Sequence, residues 1–269
     1  MRCDGYLIRV ADPLDLSGRV VIVTGGCRGV GRGIAERFLD AGAGVVICCR
    51  HEPETLPRAG KREALFIAAD VREPEEIDKV VGFATNRLGR IDVLVNNAGG
   101  SPPADSASAS PKFSTSIITL NLIAPLVFAQ KANAVMQQQP EGGVIVNIAS
   151  VSGLRPSPGT AAYGAAKAGL LNLTQTLAVD YAPKVRVNAV TAGLVKTEQS
   201  HLFYGDEEGI AAVGATVPLG RMAEPADVAD VCLFVASPLA RYVSGESIVV
   251  HGGGERPAYL EAAKNTGRP

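Results

Sequence analysis

Seven short apolar runs recur along the chain, and most of them are separated by stretches in which apolar residues have helical spacing. The runs are rich in β-branched residues, and most end at glycine, aspartate or serine, which is typical of strands. Runs that are this continuous predict strands buried on both faces, and hence a mostly parallel sheet. The predicted strands cover 19–26, 44–49, 64–70, 91–99, 142–150, 185–193 and 246–254.

Right-handed crossovers between parallel strands place the intervening helices on both faces of such a sheet. The predicted helices cover 30–42, 73–89, 113–139, 160–181 and 225–236. Pro125 must either kink the third of these helices or mark its first turn. The pattern therefore predicts an α/β fold with a doubly wound, seven-stranded, mostly parallel sheet.

The chain of 269 residues fits one domain of this kind, and it contains no internal repeat or dividing linker. We expect an N-terminal extension at 1–16, the domain itself at 17–254, and a frayed polar tail at 255–269.

Charge and cysteine content narrow the classes of partner. With 26 basic and 27 acidic residues, the chain has no basic surplus that would favour nucleic acid or an anionic membrane. We find no signal-peptide core and no apolar run long enough to span a bilayer. The five cysteines lack framework spacing, and the adjacent Cys48 and Cys49 suit neither a structural disulfide nor a metal site. These features predict a cytoplasmic protein without a bound metal.

A glycine-rich turn, TGGCRGVG at 24–31, joins the first strand to the first helix. Gly25, Gly29 and Gly31 let the backbone turn tightly and approach a pyrophosphate at a helix N-terminus. The spacing is neither G-x-G-x-x-G nor that of a P-loop. A glycine turn alone is more often structural, but its position after the first strand favours a phosphate site.

The stretch AAYGAAKAGL at 161–170 places Tyr163 four residues before Lys167. On a helix these residues share a face, roughly 6 Å apart. A neighbouring cation lowers the pKa of a phenol, which suits a proton donor to a developing alkoxide. An isolated pair of this kind is usually a solvated helix face, but Ser150 ends a strand 13 residues earlier, and this favours the reactive interpretation.

From about 17 to 254 the chain resembles the short-chain dehydrogenase/reductase family. The family's T-G-x-x-x-G-x-G motif occurs at 24–31 and its N-N-A-G motif at 96–99. Its catalytic positions match Asn121, Ser150, Tyr163 and Lys167. The resemblance implies a Rossmann-type domain and an oxidoreductase that transfers a hydride between a nicotinamide cofactor and a ketone or secondary alcohol.

The resemblance also implies a role for each catalytic residue. Tyr163 would exchange a proton with the carbonyl oxygen, to which Ser150 would donate a hydrogen bond. Lys167 would hold the nicotinamide ribose and lower the pKa of Tyr163. Asn121 would fix a water that relays protons to Lys167.

The resemblance, together with the glycine turn, implies a set of cofactor contacts. They are Gly25, Arg28, Gly29, Val30, Gly31, Arg50, Asp70, Val71, Asn97, Ala98, Gly99, Tyr163, Lys167, Gly193, Val195 and Thr197. The chain departs from the family at Ala192-Gly193, where Pro-Gly is usual, and this change could loosen the turn that aims Val195 and Thr197. His251 stands where aspartate is frequent, and we interpret it as a structural histidine near a subunit contact.

The identity of the nucleotide depends on the end of the second strand. NAD-binding enzymes of this fold place a carboxylate there, on the ribose 2′-hydroxyl, whereas this chain has Cys49 followed by Arg50. Arg50 and Arg28 suit a 2′-phosphate, which favours NADP over NAD. The alternative is that both are ordinary surface arginines, and the nearby Glu52 and Glu54 keep NAD open.

Residues 198–218 are predicted to form a mobile lid over the substrate, with Leu202, Phe203 and Tyr204 as its apolar lining. Such a lining favours a 3-oxoacyl thioester or a steroid-like ketone over a sugar. The rival class is a non-catalytic sensor of nicotinamide nucleotides, which would have no reason to keep all the catalytic groups. An enoyl-thioester reductase is disfavoured, because those enzymes use a longer spacing between tyrosine and lysine. Small residues on the helix at 160–181 allow close helix approach, and the resemblance implies a homo-oligomer, a dimer or a tetramer.

Overall fold

A computed structural model describes residues 12–259 of the chain. Its strands are β1 (Val20–Thr24), β2 (Gly44–Cys49), β3 (Arg58–Ala59), β4 (Arg62–Glu63), β5 (Leu65–Ala68), β6 (Val93–Asn96), β7 (Gly143–Ser150), β8 (Val185–Ala192) and β9 (Ser247–Val250). Seven of these form one sheet in the order β5-β2-β1-β6-β7-β8-β9, and every neighbouring pair in it is parallel. The predicted seven-stranded sheet is confirmed, and β3 and β4 add a separate short hairpin.

All five predicted helical regions are present. The helices are α1 (Gly29–Asp40), α2 (Pro74–Leu88), α3 (Pro111–Ile118), α4 (Ala124–Met136), α5 (Ala161–Asp180), α6 (His201–Tyr204), α7 (Glu207–Thr216) and α8 (Pro225–Ala236). Short 3₁₀ turns follow β7 at Val151–Gly153 and α8 at Pro238–Ala240. The pair α6 and α7 falls within the segment that the sequence predicts to be a lid.

The sheet is buried on both faces because its central strands are apolar at every position. In β1, Val21 and Val23 pack in the layer formed with α1 and α8, whereas Ile22 packs in the opposite layer with α2, α4 and α5. Successive side chains of a strand point to opposite faces, so a continuous apolar run supplies both layers at once. This is the doubly wound Rossmann-type arrangement that the sequence predicts.

Helices α3 and α4 are joined by a π-helical turn at Thr119–Ile123, directly before Pro125. The wider turn lets the helix pass the proline, whose missing N–H would otherwise end it. The joined helix, Pro111–Met136, is long and apolar enough by length and composition to cross a membrane. The expectation that no segment has these properties was therefore wrong, although core helices pass the same test, and Phe128 and Ala132 are buried against the sheet.

The folded unit begins before residue 17. Leu16 is 5% exposed in the core, and its backbone N–H donates to the carbonyl of Ala41 at 2.7 Å. At the other end, Glu255 forms an ion pair with Arg155. Most of the predicted extension and tail, residues 1–11 and 260–269, lies outside the described residues.

Candidate active site

Thr24 ties together the loops that leave β1 and β6. Its Oγ1 accepts hydrogen bonds from the backbone N–H groups of Asn97 and Ala98, each at 2.9 Å. The side-chain amide of Asn97 donates in return to the carbonyl of Thr24 at 2.9 Å. The chain runs from β1 outward through β2 to β5 and then returns to β6 on the other side of β1, so these loops border the crevice in which such sheets bind ligands.

The glycine turn requires glycine at several positions. A Cβ on Gly31 would lie 2.3 Å from the carbonyl oxygen of Gly25 and 2.4 Å from Nδ2 of Asn97. Gly25 and Gly29 have φ of +66° and +53°, which side-chain-bearing residues rarely adopt. The turn therefore brings bare backbone to the N-terminus of α1, which is a cradle suited to a pyrophosphate.

A cavity of about 1000 Å³ extends from the glycine turn to the ends of β2 and β5. Most of the predicted cofactor contacts line it. They are Gly25, Arg28, Gly29, Val30, Gly31, Arg50, Asp70, Val71, Asn97, Ala98, Gly99 and Thr197. The volume suits a dinucleotide, since ligand cavities for small molecules span ~300–1,000 Å³.

The remaining predicted contacts, Tyr163, Lys167, Gly193 and Val195, line a second cavity of about 210 Å³ together with Ser150. Asn97 and Gly99 line both cavities, so the two adjoin at the end of β6. The structure thus brings the predicted tyrosine, lysine and serine to one small cavity next to the larger one. Separate elements supply them, since Ser150 ends β7 and the other two lie on α5.

Lys167 is buried, with 3% of its surface exposed, and its Nζ donates to the carbonyl of Ile148 at 2.7 Å. Burial lowers its pKa to about 8, because desolvation disfavours the ammonium form. The Nζ atom lies 5.6 Å from the centroid of the Tyr163 ring. The lysine can therefore gain or lose a proton close to neutral pH.

The pKa of Tyr163 is raised, mainly by burial, although its hydrogen bond with Ser150 acts in the opposite direction. The expectation of a lowered pKa is wrong for this structure, because desolvation of the phenolate outweighs the favourable contact. Ser150 is itself held at the end of β7, where its Oγ accepts from the backbone N–H of Ser152 at 3.2 Å. The phenol is consequently kept protonated as a donor.

Asn121 lies in the π-helical turn and is fully buried. Its Nδ2 donates to the carbonyls of Gly100 and Ile117, and its Oδ1 accepts from the N–H of Gly100, all at 2.9 Å. Both amide hydrogens are thus used to tie the loop after β6 to α3. The water relay that the resemblance implies for Asn121 stays a prediction.

The turn after β8 is held in place although Ala192 stands where the family usually has proline. The N–H of Gly193 donates to the carbonyl of Val250 at 2.9 Å. A Cβ on Gly193 would lie 2.7 Å from the Cβ of His251, so the glycine is required by close packing on the histidine. The turn is therefore not loosened by Ala192, and the subunit contact suggested for His251 stays a prediction.

Arg72 was not predicted from the sequence, although it lines the large cavity and donates from Nε to the Asp70 carboxylate at 2.9 Å. This hydrogen bond, opposed only in part by burial, lowers the pKa of Asp70. The sequence signal was an arginine two residues after Asp70, a predicted cofactor contact. Glu198 was also missed, and its Oε1 accepts from the N–H of Gly29 at 2.9 Å.

A disulfide joins Cys27 to Cys49 with a Cα–Cα distance of 6.4 Å, so the expectation that the cysteines form no disulfide was wrong. The spacing of Cys27 and Cys49 along the chain could not predict this disulfide, because the two residues come together only in the folded structure. Thr24 pairs with Cys48 in the parallel register of β1 and β2, which brings the turn after β1 beside the end of β2. The cytoplasmic location, which rested partly on the cysteines, stays a prediction.

Helix α6 carries the apolar residues expected of the lid. Leu202 and Phe203 are 64% and 57% exposed. Burial raises the pKa of Tyr204, and the charges of Glu255 and Arg155 also act on it. Because Arg155 belongs to the segment that follows β7, its effect on Tyr204 indicates that α6 lies close to that segment. Closure of 198–218 over a substrate stays a prediction.

The family model described as Enoyl-(Acyl carrier protein) reductase matches residues 25–255. Together with the relatives below, this match shows that the chain belongs to the short-chain dehydrogenase/reductase family of oxidoreductases. Members of this family use nicotinamide cofactors.

The chain is 34% identical over 247 residues to 3beta-hydroxysteroid dehydrogenase 1 of Eggerthella lenta, covering 89% of this chain and 94% of the relative. It is also 34% identical over 247 residues to the 3-oxoacyl-[acyl-carrier-protein] reductase FabG of Vibrio harveyi, covering 89% and 98%. Among solved structures, it is similar to ligand-free aldohexose dehydrogenase of Thermoplasma acidophilum, with a TM-score of 0.82 and 33% identity over 89% of this chain and 94% of that one.

Proposed function

We propose that the chain catalyses hydride transfer between NADP(H) and a ketone or secondary alcohol with an apolar body. The observation that carries this proposal is the meeting of Ser150, Tyr163 and Lys167 in a small cavity that adjoins the large one through Asn97 and Gly99. A hydride donor and a proton donor would then face the same carbonyl group. A sensor without catalysis would not need this arrangement.

The described residues suit a nicotinamide dinucleotide, because a Cβ on Gly31 would collide with Gly25 and Asn97, and the glycines therefore bring bare backbone to the cavity at the start of α1. When bound, the cofactor supplies or accepts the hydride. The N-terminus of α1 would hold its pyrophosphate, and Asp70 and Val71 would contact the adenine. Lys167 would hold the nicotinamide ribose.

Residues of the chain itself would supply the proton for this reaction. Tyr163 would donate it to the carbonyl oxygen, while the Ser150 hydroxyl donates a hydrogen bond to the same oxygen. The raised pKa of Tyr163 keeps the phenol protonated until an alkoxide develops beside it. Lys167, with a pKa of about 8, is the nearby group that can restore this proton.

The preference for NADP rests on Arg28 and Arg50. Both are exposed at the wall of the large cavity, and neither forms an ion pair or side-chain hydrogen bond with any described residue. Two uncommitted guanidinium groups suit a 2′-phosphate, to which each can donate paired hydrogen bonds. No carboxylate occupies the end of β2, where NAD-dependent enzymes place one.

The relatives act, by their names, on a steroid, an acyl thioester and a sugar at nearly equal identity, so similarity does not choose a substrate. The choice of an apolar substrate rests on Leu154, Leu202 and Phe203, which are all more than half exposed. Large exposed apolar side chains favour an apolar ligand. We also propose that residues 198–218 close over this substrate and lose hydrogen-exchange protection when it leaves.

The oligomer is proposed on the exposed face of α5. Ala165 and Ala168 are exposed there, and Val179 is 78% exposed. Small and apolar residues allow a second helix to approach closely, so we propose a dimer or tetramer of this chain. Light scattering at micromolar concentration tests the assembly, and a monomer contradicts it.

The activity is tested by following NADPH oxidation with a 3-oxoacyl thioester, a 3-ketosteroid and an aldohexose lactone, and the reverse reaction with the matching alcohols. We expect turnover with at least one apolar carbonyl compound. Turnover of the sugar pair alone contradicts the substrate class. Binding of NADPH without turnover of any compound supports the sensor.

A further inference from the structure

The disulfide joins two walls of the nucleotide cavity. Cys27 lies in the turn between β1 and α1, and Cys49 is the last residue of β2. Both line the large cavity, and both are half-buried, so the bond faces the space into which a nucleotide would bind.

The disulfide is also the main constraint on the position of residues 26–28 in this turn. The N–H of Gly25 donates to the carbonyl of Cys48 at 2.8 Å, and residues 25–27 form a turn, but no N–H group of 26–28 donates to a described residue outside this turn. A segment without backbone hydrogen bonds to its surroundings depends on other constraints to hold its position. Here the covalent link to Cys49 supplies that constraint.

Each bonded cysteine is followed directly by an arginine of the proposed 2′-phosphate site. Cys27 precedes Arg28, and Cys49 precedes Arg50. The disulfide therefore fixes the distance between the backbone positions from which the two guanidinium groups extend. When the bond opens, the turn that carries Arg28 gains freedom relative to β2, and the pair must be ordered when the nucleotide binds.

The other described cysteines cannot substitute for this pair. Cys48 and Cys232 are buried, and burial raises the pKa of both thiols, to about 12 for Cys48. A thiol reacts as its thiolate, so both are inert near neutral pH. Exchange with an external thiol is therefore directed to the bond that lines the open cavity.

We propose that Cys27 and Cys49 form a redox site within the nucleotide cavity, reduced by small dithiols, whose oxidised form binds NADP(H) more tightly than its reduced form. The proposal rests on the proposed function, because it takes the 2′-phosphate as the group that the two arginines bind. Oxidation pre-organises the arginines, and reduction releases the turn.

The chemistry is thiol–disulfide exchange. One thiolate of the dithiol attacks a sulfur of the disulfide, so a mixed disulfide forms and one cysteine leaves as a thiolate, which takes up a proton. The second thiol of the reductant loses its proton and attacks the mixed disulfide, and this step releases the other cysteine, which is protonated in turn. Two electrons and two protons pass to the protein, and the dithiol becomes a disulfide.

The test is calorimetric titration of the full-length protein with NADPH and with NADH, before and after reduction by dithiothreitol. Mass spectrometry and thiol titration establish the state of the pair. We expect the oxidised protein to bind NADPH about tenfold more tightly than the reduced protein, and reoxidation to restore the affinity. NADH lacks the 2′-phosphate, so its dissociation constant should change much less.

The double variant Cys27→Ser/Cys49→Ser should bind NADPH as the reduced protein does and should not respond to dithiothreitol. Cys232→Ala keeps the disulfide and should respond as the wild type does. If the double variant does not fold, the wild-type titration decides alone. Equal NADPH affinity in both verified states, or an oxidised protein without this bond, overturns the redox site. Failure to bind either nucleotide overturns the proposed function as well.

Discussion

The two ends of the cleft are held by different kinds of contact. At the catalytic end, Lys167 and Asn121 are buried and bonded to backbone carbonyl groups. Behind them, Asn96 donates to Asn147, which donates to Thr174, with both hydrogen bonds at 2.9 Å. Buried polar groups that are satisfied in this way have a geometry that is fixed before any ligand arrives.

At the nucleotide end, the side chains are exposed and much less constrained. Arg28 and Arg50 make no ion pair with any described residue, and the N–H of Gly29 is engaged by Glu198. The disulfide constrains their backbone, but the guanidinium groups themselves are held only once a ligand binds, so changes there should alter affinity. Changes at the catalytic end should alter turnover or the stability of the fold instead. Variants at each end of the cleft test this division.

Tyr163→Phe removes the proton donor and keeps the ring. We expect kcat to fall by about 10³-fold to 10⁴-fold, because general acid catalysis is lost while the nucleotide cavity is intact. Steady-state kinetics and calorimetry with NADPH measure the two properties. Tyr242→Phe, at a fully exposed tyrosine that lines neither cavity, is the matched control and should keep kcat within a few-fold. A Tyr163→Phe enzyme that turns over near the wild-type rate would remove Tyr163 from the mechanism.

The buried Lys167 should make the free energy of unfolding depend on pH. Its pKa is lowered from 10.5 to about 8, so the unfolded chain binds more protons than the native one between these values. The free energy of unfolding should therefore rise with pH across this window, by roughly 3 kcal/mol. This stability is present above pH 10.5 and is lost as the pH falls to 8.

Lys167→Met should remove that rise, because the unfolded and folded states then no longer differ in protonation at this position. Urea unfolding at several pH values measures it as the difference between variant and wild type. Lys196→Met, which removes an exposed lysine paired with Glu207, should keep the rise. Parallel curves for wild type and Lys167→Met would show that the pKa of Lys167 is not lowered in the folded protein.

Arg50→Gln tests the nucleotide end. We expect its dissociation constant for NADPH to increase about tenfold, because a charge-assisted contact with the 2′-phosphate is lost, while NADH binding is unchanged. Arg32→Gln is the matched control, since Arg32 lines the same cavity but donates to Glu36 at 2.8 Å and is already paired. Equal affinity of the wild type for NADPH and NADH would contradict the proposed preference.

The sequence predicted what depends on local spacing. The seven strands follow from apolar runs, and the meeting of Tyr163 and Lys167 follows from four residues of helix. The Cys27–Cys49 bond could not be predicted in this way, because it joins segments that only the strand register brings together. The raised pKa of Tyr163 was missed because burial depends on the packed structure.

The smallest expected effect concerns Glu198, which connects the predicted lid to the nucleotide end. Its carboxylate accepts from the N–H of Gly29, the first residue of α1, at 2.9 Å. A helix N-terminus attracts anions, so this carboxylate occupies the position that a pyrophosphate would take. Nucleotide binding must then displace Glu198.

Glu198→Gln removes the negative charge, and the competition for the N-terminus of α1 weakens with it. We expect NADPH to bind about threefold more tightly, the effect of one charge at a helix terminus, and NADH to gain by a similar factor because both carry the pyrophosphate. Glu207→Gln is the matched control, because Glu207 pairs with Lys196 and has no contact with Gly29. Calorimetry with all three proteins decides the outcome. Weaker binding by Glu198→Gln would mean that Glu198 supports the nucleotide site instead of competing for it.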